Sequence, residues 1–229
     1  QVPVEEFRRV FCLYLDQGFD IVYVGCSLKQ SGTVNTGTVV AKELLDRYPG
    51  AAIYCIDSLN SCMGEGLLAV RAAIYRDGGM NAQEIFEHIM QERNLVNEFC
   101  TVHTLDALKR SGRVKASAAF LGNLFGVKPI IISDAEGYQT PIKKVRGRQT
   151  SIQEIVTLLK SSIIAPEQQT VCIAHGDCLE EARLLEDLVR QQIPCKAIHL
   201  DYIGPIIGAS VGPDALAVFA FGREVTFKA

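Results

Sequence analysis

Short apolar runs alternate with amphipathic segments along most of this chain, and that rhythm restricts the fold more than any other feature. Two mostly apolar segments of strand length are Asp20–Gly25 and Ala51–Ile56. Helical periodicity predicts helices over Val4–Gln17, Thr33–Arg47 and Ala82–Leu95. Because continuously apolar strands between helices are typical of a parallel sheet covered on both faces, the first half is predicted to form a small, doubly wound α/β domain.

The second half of the chain has a different pattern. Pro129–Ser133 and Tyr138–Val145 flank a turn sequence and predict a hairpin. Val171–Ala174 and Lys196–Leu200 are predicted strands on either side of a helix at Leu179–Gln191, so this half is predicted to contain a mixed sheet. The other elements predicted here are a strand at Phe99–Thr104, helical segments at Asp106–Arg110 and Lys115–Phe125, a helix at Ser151–Ser162 and a strand at Ala217–Phe221. We expect two domains, residues 1–96 and 97–229.

Charge and cysteine usage exclude several classes of protein. The net charge is −3, so the chain lacks the global basic field of a nucleic-acid-binding protein. No apolar run approaches the roughly 18 residues of a membrane span, so no integral membrane segment is predicted. The eight cysteines are scattered without a CxxC pair, which favours a reducing cytoplasm over a disulfide framework. The four histidines have no metal-ligand spacing, and neither a metal nor a cofactor is predicted.

The loop Cys26–Thr33 is the most informative polar segment. It follows a buried strand and opens a helix, where free backbone N–H groups and the helix dipole favour an anion. Ser31 and Thr33 add hydroxyl donors, and Gly32 allows close approach of the backbone. The segment predicts a site for a carboxylate or a phosphate, although hydroxyl residues at this place are also common helix caps.

A second polar loop, Asp57–Ser61, follows the next predicted strand and leads through Gly66 into a helix that ends at about Arg76. We expect it to lie beside the first loop, because the carboxyl ends of parallel strands share one edge of a sheet. Alone it is equally typical of a capped polar turn.

Histidines and basic clusters have plainer interpretations. His103 precedes Asp106 in a pattern more typical of a structural hydrogen bond than of acid–base catalysis, and His175 is placed to cap a turn. Two basic clusters are either solvated surface or a docking patch for an acidic partner. They comprise Arg110, Arg113 and Lys115, and Lys143, Lys144, Arg146 and Arg148.

Several segments in a specific order resemble the DegV family across essentially the whole chain. They are Ser31-Gly32-Thr33, Asp57-Ser58 through Met63-Gly64-Glu65-Gly66, Thr104–Arg113, Lys128-Pro129-Ile130-Ile131, Lys144–Arg148, Ile203–Gly208 and Gly212-Pro213. The resemblance implies a two-domain, DegV-like (EDD-type) α/β fold, with a parallel doubly wound N-terminal lobe and a mixed-sheet C-terminal lobe.

The resemblance also implies a function. Such bacterial proteins are not enzymes themselves: they hold a long-chain fatty acid between the lobes and present it to a separate fatty acid kinase, which makes an acyl-phosphate for phospholipid synthesis. In the family a Ser of the Ser-Gly-Thr loop binds the carboxylate, which places the head group here on Ser31, with Gly32 and Thr33 beside it. The candidate residues for docking of the kinase are three arginines of the two basic clusters: Arg113, Arg146 and Arg148.

Two departures from the family pattern bear on the site. Gln1-Val2-Pro3 resembles the tail of a Thr-Ser-Gln-Pro segment, so the family's Thr, its first strand and its Asp-Ser loop are expected to precede this chain. The family's Gly-x-His-x-Gly-Pro-Gly segment is present as residues 208–214, with Ser210 in place of His and Asp214 in place of the last Gly. Ser210 can still donate a hydrogen bond to the carboxylate, whereas Asp214 adds a negative charge nearby.

An acyl tunnel is expected in the second half, although periodicity alone favours an ordinary core for the same apolar residues. The candidates are Phe120, Leu121, Leu124, Phe125, Ile130 and Ile132. One alternative function is a small-molecule kinase or hydrolase on a related scaffold, for which Asp57, Asp106 and Asp177 are the candidate carboxylates. Another is a degenerate relative that acts only as an interaction module.

Overall fold

The computed structural model describes residues 1–115 and 126–228, and the chain separates into two compact units. The first contains residues 1–61 and 65–93, and the second contains residues 62–64 and the chain from residue 94 onward. The described helices are α1 (Val4–Leu15), α2 (Thr33–Arg47), α3 (Cys62–Asp77), α4 (Ala82–Glu92), α5 (Asp106–Ser111), α6 (Arg148–Ser162), α7 (Leu179–Gln192) and α8 (Pro205–Val211). The described strands are β1 (Ile21–Gly25), β2 (Ile53–Asp57), β3 (Val96–Thr101), β4 (Val127–Ser133), β5 (Gln139–Arg146), β6 (Thr170–His175), β7 (Ala197–Tyr202) and β8 (Leu216–Phe221).

The first unit is built on the parallel pair β1–β2, in which Tyr23 lies opposite Cys55. These two side chains face an apolar cluster supplied by α1 and α2. The next residue along β2, Tyr54, points to the other face and stacks on Phe86 of α4, with ring centroids 4.7 Å apart. Alternation of side chains along each strand therefore places helices on both faces, which confirms the predicted parallel, doubly wound arrangement.

The second unit contains a six-stranded mixed sheet in the order β5-β4-β3-β8-β6-β7. Within its described strands, β6 and β7 form the one parallel pair, and the other neighbours are antiparallel. Apolar residues of α6 and α7 pack on this sheet; the fully buried ones are Ile152, Ile155, Val156, Leu159, Ala182, Leu185 and Val189. The predicted mixed sheet with a β4–β5 hairpin is confirmed.

Several elements differ from the predictions, and three of the differences have a clear physical reason. Strand β3 begins at Val96 rather than Phe99, because Asn97 and Glu98 are buried strand residues that composition alone assigns to a loop. Helix α3 begins at Cys62, although the glycines that follow favoured a loop as far as Gly66. Helix α8 was not predicted, because a seven-residue helix shows too little periodicity, although Pro205 at its first turn is a typical start signal.

The expected acyl tunnel falls mainly on residues outside the described chain: Phe120, Leu121, Leu124 and Phe125 lie there, as does all but Lys115 of the predicted helix 115–125. Ile130 and Ile132 are described, and both belong to the hydrophobic core of the second unit. That packing accounts for their burial without a ligand. Among the described helices none is long and apolar enough to cross a bilayer, and all eight cysteines are free thiols.

Candidate functional site

The first candidate site lies at the carboxyl ends of β1 and β2, where two polar loops lie side by side. The Ser27 N–H donates to the Asn60 carbonyl at 2.8 Å, and the Ser58 N–H donates to the Gly25 carbonyl at 3.1 Å. Ser27, Ser58 and Asn60 are buried. Backbone bonds therefore join the loops into one polar platform, as their positions after neighbouring strands predicted.

Asp57 stabilises this platform through its side chain. Its Oδ1 accepts hydrogen bonds from the backbone N–H groups of Leu59 at 2.9 Å and Leu28 at 3.3 Å. Leu59 has a positive φ of 57°, a left-handed conformation in which the loop is held by these bonds. The Asp57 carboxylate thus connects the two loops, which gives it a structural role and argues against its use as a catalytic base.

Ser31 and Thr33 form a pair of hydroxyl groups at the start of α2. Their oxygens lie 2.8 Å apart, and Ser31 Oγ also accepts a hydrogen bond from the Thr33 N–H at 3.3 Å. Within the pair one hydroxyl donates to the other, and hydroxyl groups are hydrogen-bond donors that a carboxylate can accept from. Gly32 is the N-cap residue and has no side chain to bond the first-turn N–H groups of the helix. The start of α2 therefore combines a hydroxyl donor with the favourable end of the helix dipole.

Burial shapes the electrostatics of the first unit near this site. Desolvation raises the pKa of Glu65 to about 7 and that of Tyr23 to about 12, and the Glu65 charge further disfavours ionisation of Tyr23. Asn60 Oδ1 is buried and has no hydrogen-bond partner among the described residues. Near neutral pH Glu65 is therefore partly protonated, so this part of the first unit carries less negative charge than its composition suggests.

The second unit brings together two segments that are far apart in sequence. Ser111, at the end of α5, donates through Oγ to the Ser210 carbonyl at 3.2 Å. A Cβ added at Gly212 would lie 2.9 Å from the Ala107 Cβ, and Gly212 has a φ of 86°, so this close contact requires glycine. The Ser210 hydroxyl itself donates to the Ile206 carbonyl at 3.4 Å within α8. Segments 104–113 and 208–214 therefore form one surface.

A charged cluster lies beside this surface. Arg148 donates through Nε and Nη2 to Glu181 Oε2 at 2.9 and 2.5 Å, and through Nη2 to the Asp214 carbonyl at 2.6 Å. His103 lies between two carboxylates, with Nε2 3.8 Å from Glu181 Oε1 and Nδ1 3.9 Å from Asp214 Oδ2. Burial opposes ionisation of Glu181, but the hydrogen bond and charge of Arg148 outweigh it and lower the Glu181 pKa.

His175 anchors the same surface from the end of β6. Its Nδ1 accepts a hydrogen bond from the Cys178 N–H at 3.2 Å, which confirms that it caps the turn, and its buried Nε2 has no partner in the described chain. The Gly176 N–H donates to the Ala215 carbonyl, and the Asp214 N–H donates to the Gly176 carbonyl, both at 2.7 Å. Burial lowers the pKa of His175, so the ring is neutral at neutral pH.

The predicted docking arginines occupy different environments. Arg113 and Arg146 are exposed. The Arg148 side chain is only 13% exposed and is used by the cluster described above, so its assignment to a docking surface is corrected to a structural role. The role of Glu181 could not be predicted from the sequence. An acidic residue in the first turn of a helix is common, and nothing near it in the sequence indicates an ion pair with a distant arginine. The described residues contain no group of three His, Cys, Asp or Glu side chains that could hold a metal ion.

Comparisons with known proteins agree with this architecture. The DegV family model matches residues 1–223. A DegV domain-containing protein of Clostridium perfringens is 37% identical over 222 residues, which cover 97% of this chain and 76% of that protein. The solved structure of a DegV family protein of Thermus thermophilus, which is described as showing fatty acid binding, has a TM-score of 0.87 at 24% identity. The match covers 97% of this chain and 78% of the Thermus chain. DegV of Bacillus subtilis, described as a fatty acid binding protein, has a TM-score of 0.79 at 25% identity, with 97% and 78% covered. From residue 1 to residue 223, this chain belongs to the DegV family.

Proposed function

We propose that this protein binds a long-chain fatty acid and holds its carboxylate at the hydroxyl pair of Ser31 and Thr33. The observation that carries the proposal is this pair at the start of α2, at the carboxyl ends of two parallel strands. A carboxylate oxygen would accept hydrogen bonds from a hydroxyl of this pair and from backbone N–H groups of the first helical turn after Thr33. Support comes from the solved relatives described as fatty acid binding proteins.

Most of the binding free energy would come from the acyl chain, since each buried CH₂ contributes about 0.8 kcal/mol. The polar contacts would then select the head group rather than supply the affinity. This division explains why a site with hydroxyls and backbone N–H groups, without an arginine clamp, is sufficient for a carboxylate. Ser210 of the second unit stays a predicted contact of the head group, for which its hydroxyl would have to give up the 3.4 Å hydrogen bond that it donates to the Ile206 carbonyl.

The direct test is Ser31→Ala with Thr38→Ala as its matched control. Thr38 lies on the same helix, and its hydroxyl donates to the Val34 carbonyl at 2.9 Å, away from the loop. We expect Ser31→Ala to weaken palmitate binding about tenfold or more, because a hydrogen bond to a charged group contributes about 1.5–3 kcal/mol. Thr38→Ala should bind like the wild type. Equal affinities in the two folded variants would place the head group elsewhere.

We further propose that the protein is a cytoplasmic carrier that presents the acid to a fatty acid kinase, as the family resemblance implies, and that Arg113 and Arg146 contribute to docking. Charge reversal at either arginine should slow association with the kinase, with an effect that shrinks as salt rises. Arg47→Glu, an exposed change in the first unit, is the control. Loss of palmitate binding in Arg113→Glu or Arg146→Glu would instead assign these arginines to the lipid site.

A carrier role predicts no turnover by the protein alone. The rival enzyme requires a group of carboxylates, yet Asp57 is engaged by two backbone N–H groups. Incubation with ATP, Mg²⁺ and palmitate, without a partner, should therefore yield no acyl-phosphate. Formation of acyl-phosphate or ADP above background would favour the enzyme.

A further inference from the structure

We propose that the side-chain amide of Asn60 is a further contact of the carboxylate head group in the polar platform, and that it selects a carboxylate over an alcohol. This inference rests on the proposed fatty acid binding and adds a specificity-determining residue to it. Asn60 belongs to the first unit, as do Ser31 and Thr33, so the whole site lies within that unit.

The side chain of Asn60 is buried without the hydrogen bond that a buried amide oxygen needs. Asn60 is only 2% exposed, and its Oδ1 has no hydrogen-bond partner among residues 1–115 and 126–228. Such unbonded polar atoms destabilise a folded protein and are rare in native structures. The amide oxygen of Asn97 is a contrast only in sequence context, whereas its Nδ2 donates to the carbonyls of Leu95 and Arg223 at 3.0 and 2.9 Å. Asn97 therefore has a structural role, and the Asn60 amide lacks one.

The backbone of Asn60, unlike its side chain, is fully engaged in the platform. Its N–H donates to Ser58 Oγ at 3.1 Å, and its carbonyl accepts from the Ser27 N–H at 2.8 Å and from the Ser58 hydroxyl at 3.0 Å. These bonds fix the position of Asn60 in its loop. The side chain is therefore not needed to hold the loop and can act on a ligand.

Ser27 connects Asn60 to the hydroxyl pair at the start of α2. The Ser27 N–H donates to the Asn60 carbonyl at 2.8 Å, and the Ser27 carbonyl accepts from the Ser31 N–H at 2.9 Å. A single buried residue therefore links Asn60 to Ser31 through two backbone hydrogen bonds. A head group held by Ser31 and Thr33 would lie beside the loop that carries the unbonded amide.

An amide suits this position because it carries both an acceptor and donors. Rotation about the Cβ–Cγ bond turns either Oδ1 or Nδ2 towards a neighbour. A carboxylate would accept from an N–H of Nδ2, and this charge-assisted hydrogen bond is stronger than one to an uncharged alcohol. Ligand binding would thus give a partner to a group that the free protein leaves unbonded.

The charges of the platform permit an anion beside Asn60. The Asp57 carboxylate is turned towards the backbone N–H groups of Leu28 and Leu59, which donate to its Oδ1. Arg93 donates through Nη1 to the Asp57 carbonyl at 2.8 Å, so a positive charge lies next to the same residue. The acidic charge of Asp57 is therefore offset locally, and the amide can discriminate between head groups by hydrogen bonding.

The test compares affinities for palmitate and for 1-hexadecanol, which has the same chain length and an uncharged head group. We expect Asn60→Asp to lower the preference for palmitate more than about tenfold, because a carboxylate here repels palmitate but accepts a hydrogen bond from the alcohol. Asn60→Leu keeps the branched shape without polar atoms and should lower the preference about tenfold.

The matched control is Asn35→Asp, which makes the same chemical change at an exposed position in the first turn of α2. Because water and salt screen an exposed charge, its preference for palmitate should stay within about twofold of the wild type. Thermal unfolding of each variant shows whether it is folded.

Failure of this inference and failure of the proposed function are distinguishable. If the wild type binds palmitate and the folded Asn60 variants keep its preference, the inference is overturned and the proposed function stands. The same holds if palmitate and hexadecanol weaken equally, or if neither variant folds, since Asn60 would then act through the structure of its loop. If the wild type binds no palmitate, the proposed function itself fails.

Discussion

The polar platform at the ends of β1 and β2 and the charged cluster around Arg148 both hold separate segments of the chain together, but they use different interactions. The platform uses hydroxyls and backbone N–H groups, with the Asp57 carboxylate turned inward to hold Leu28 and Leu59. The cluster uses full charges, with Arg148, Glu181, His103 and Asp214 in one network. Neutral donors tolerate changes in pH and salt, whereas a charge network is stabilised only while every member is paired. We therefore expect mutation and pH to affect the two regions unequally.

The largest expected effect is Arg148→Ala, which should break the charged cluster. The substitution leaves Glu181 without its partner and the Asp214 carbonyl without its donor. Breaking a largely buried ion pair from one side costs about 3 kcal/mol. Urea unfolding should show this loss, while the exposed Arg146→Ala should stay within about 0.5 kcal/mol of the wild type. A loss below 1 kcal/mol for Arg148→Ala would show that water replaces the network at little cost.

Gly25→Ala should disturb the platform by steric overlap rather than by charge. An added Cβ would lie 2.7 Å from Val34 Cγ2 and 2.8 Å from the Tyr23 ring. The Tyr23 ring packs edge-to-face against Phe7, with ring centroids 5.1 Å apart. Overpacking of this kind typically costs about 1–3 kcal/mol, and we expect about 2 kcal/mol here.

The matched control for this variant is Gly66→Ala in α3, where an added Cβ meets no atom within 4 Å. Alanine is the better helix former, so this control should be neutral or slightly stabilising. Thermal unfolding of both variants would show whether the added Cβ at Gly25 destabilises the protein more than the one at Gly66. Equal Tm values for the two would show that β1 can shift to make room at Gly25.

The smallest expected effect is a loss of stability at low pH that comes from His175, beside the charged cluster, and not from the polar platform. Burial lowers the pKa of His175 below its usual 6.5, so the unfolded chain takes up the proton at a higher pH than the native protein does. Stability from the neutral ring is therefore fully present above about pH 6.5 and is lost as pH falls towards the native pKa.

Denaturant midpoints between pH 7.5 and pH 5 should show this loss in the wild type and in His88→Gln, a change at an exposed histidine on α4, and a weaker one in His175→Gln. An identical pH profile for His175→Gln and the wild type would mean that other groups produce the acid sensitivity.

The platform could be predicted from sequence because its determinants are local. Ser31 and Thr33 follow one strand, and Asp57 follows the next, so strand order alone places them together. The inward role of Asp57 could not be predicted, since a carboxylate that accepts backbone bonds and one that faces a ligand have the same sequence pattern.

The charged cluster around Arg148 could not be predicted from the sequence, because its members are far apart along the chain. His103, Arg148, Glu181 and Asp214 come from four separate elements of the second unit, and no spacing rule joins them. Strand β3 shows the same limit, because Glu98 lies buried in it beside Gln139, whose Nε2 donates to Oε2 at 2.9 Å. Burial raises the Glu98 pKa to about 7, a property that tertiary packing creates and periodicity does not show.

The central claim, that this chain is a fatty acid carrier, is tested most directly by native mass spectrometry of the purified wild type before and after addition of palmitate, followed by lipid extraction. We predict one fatty acid per chain, either carried through purification or taken up on addition, and recovered as the free acid. A protein that remains folded, yields no extracted lipid and takes up no palmitate or oleate would contradict a fatty acid carrier.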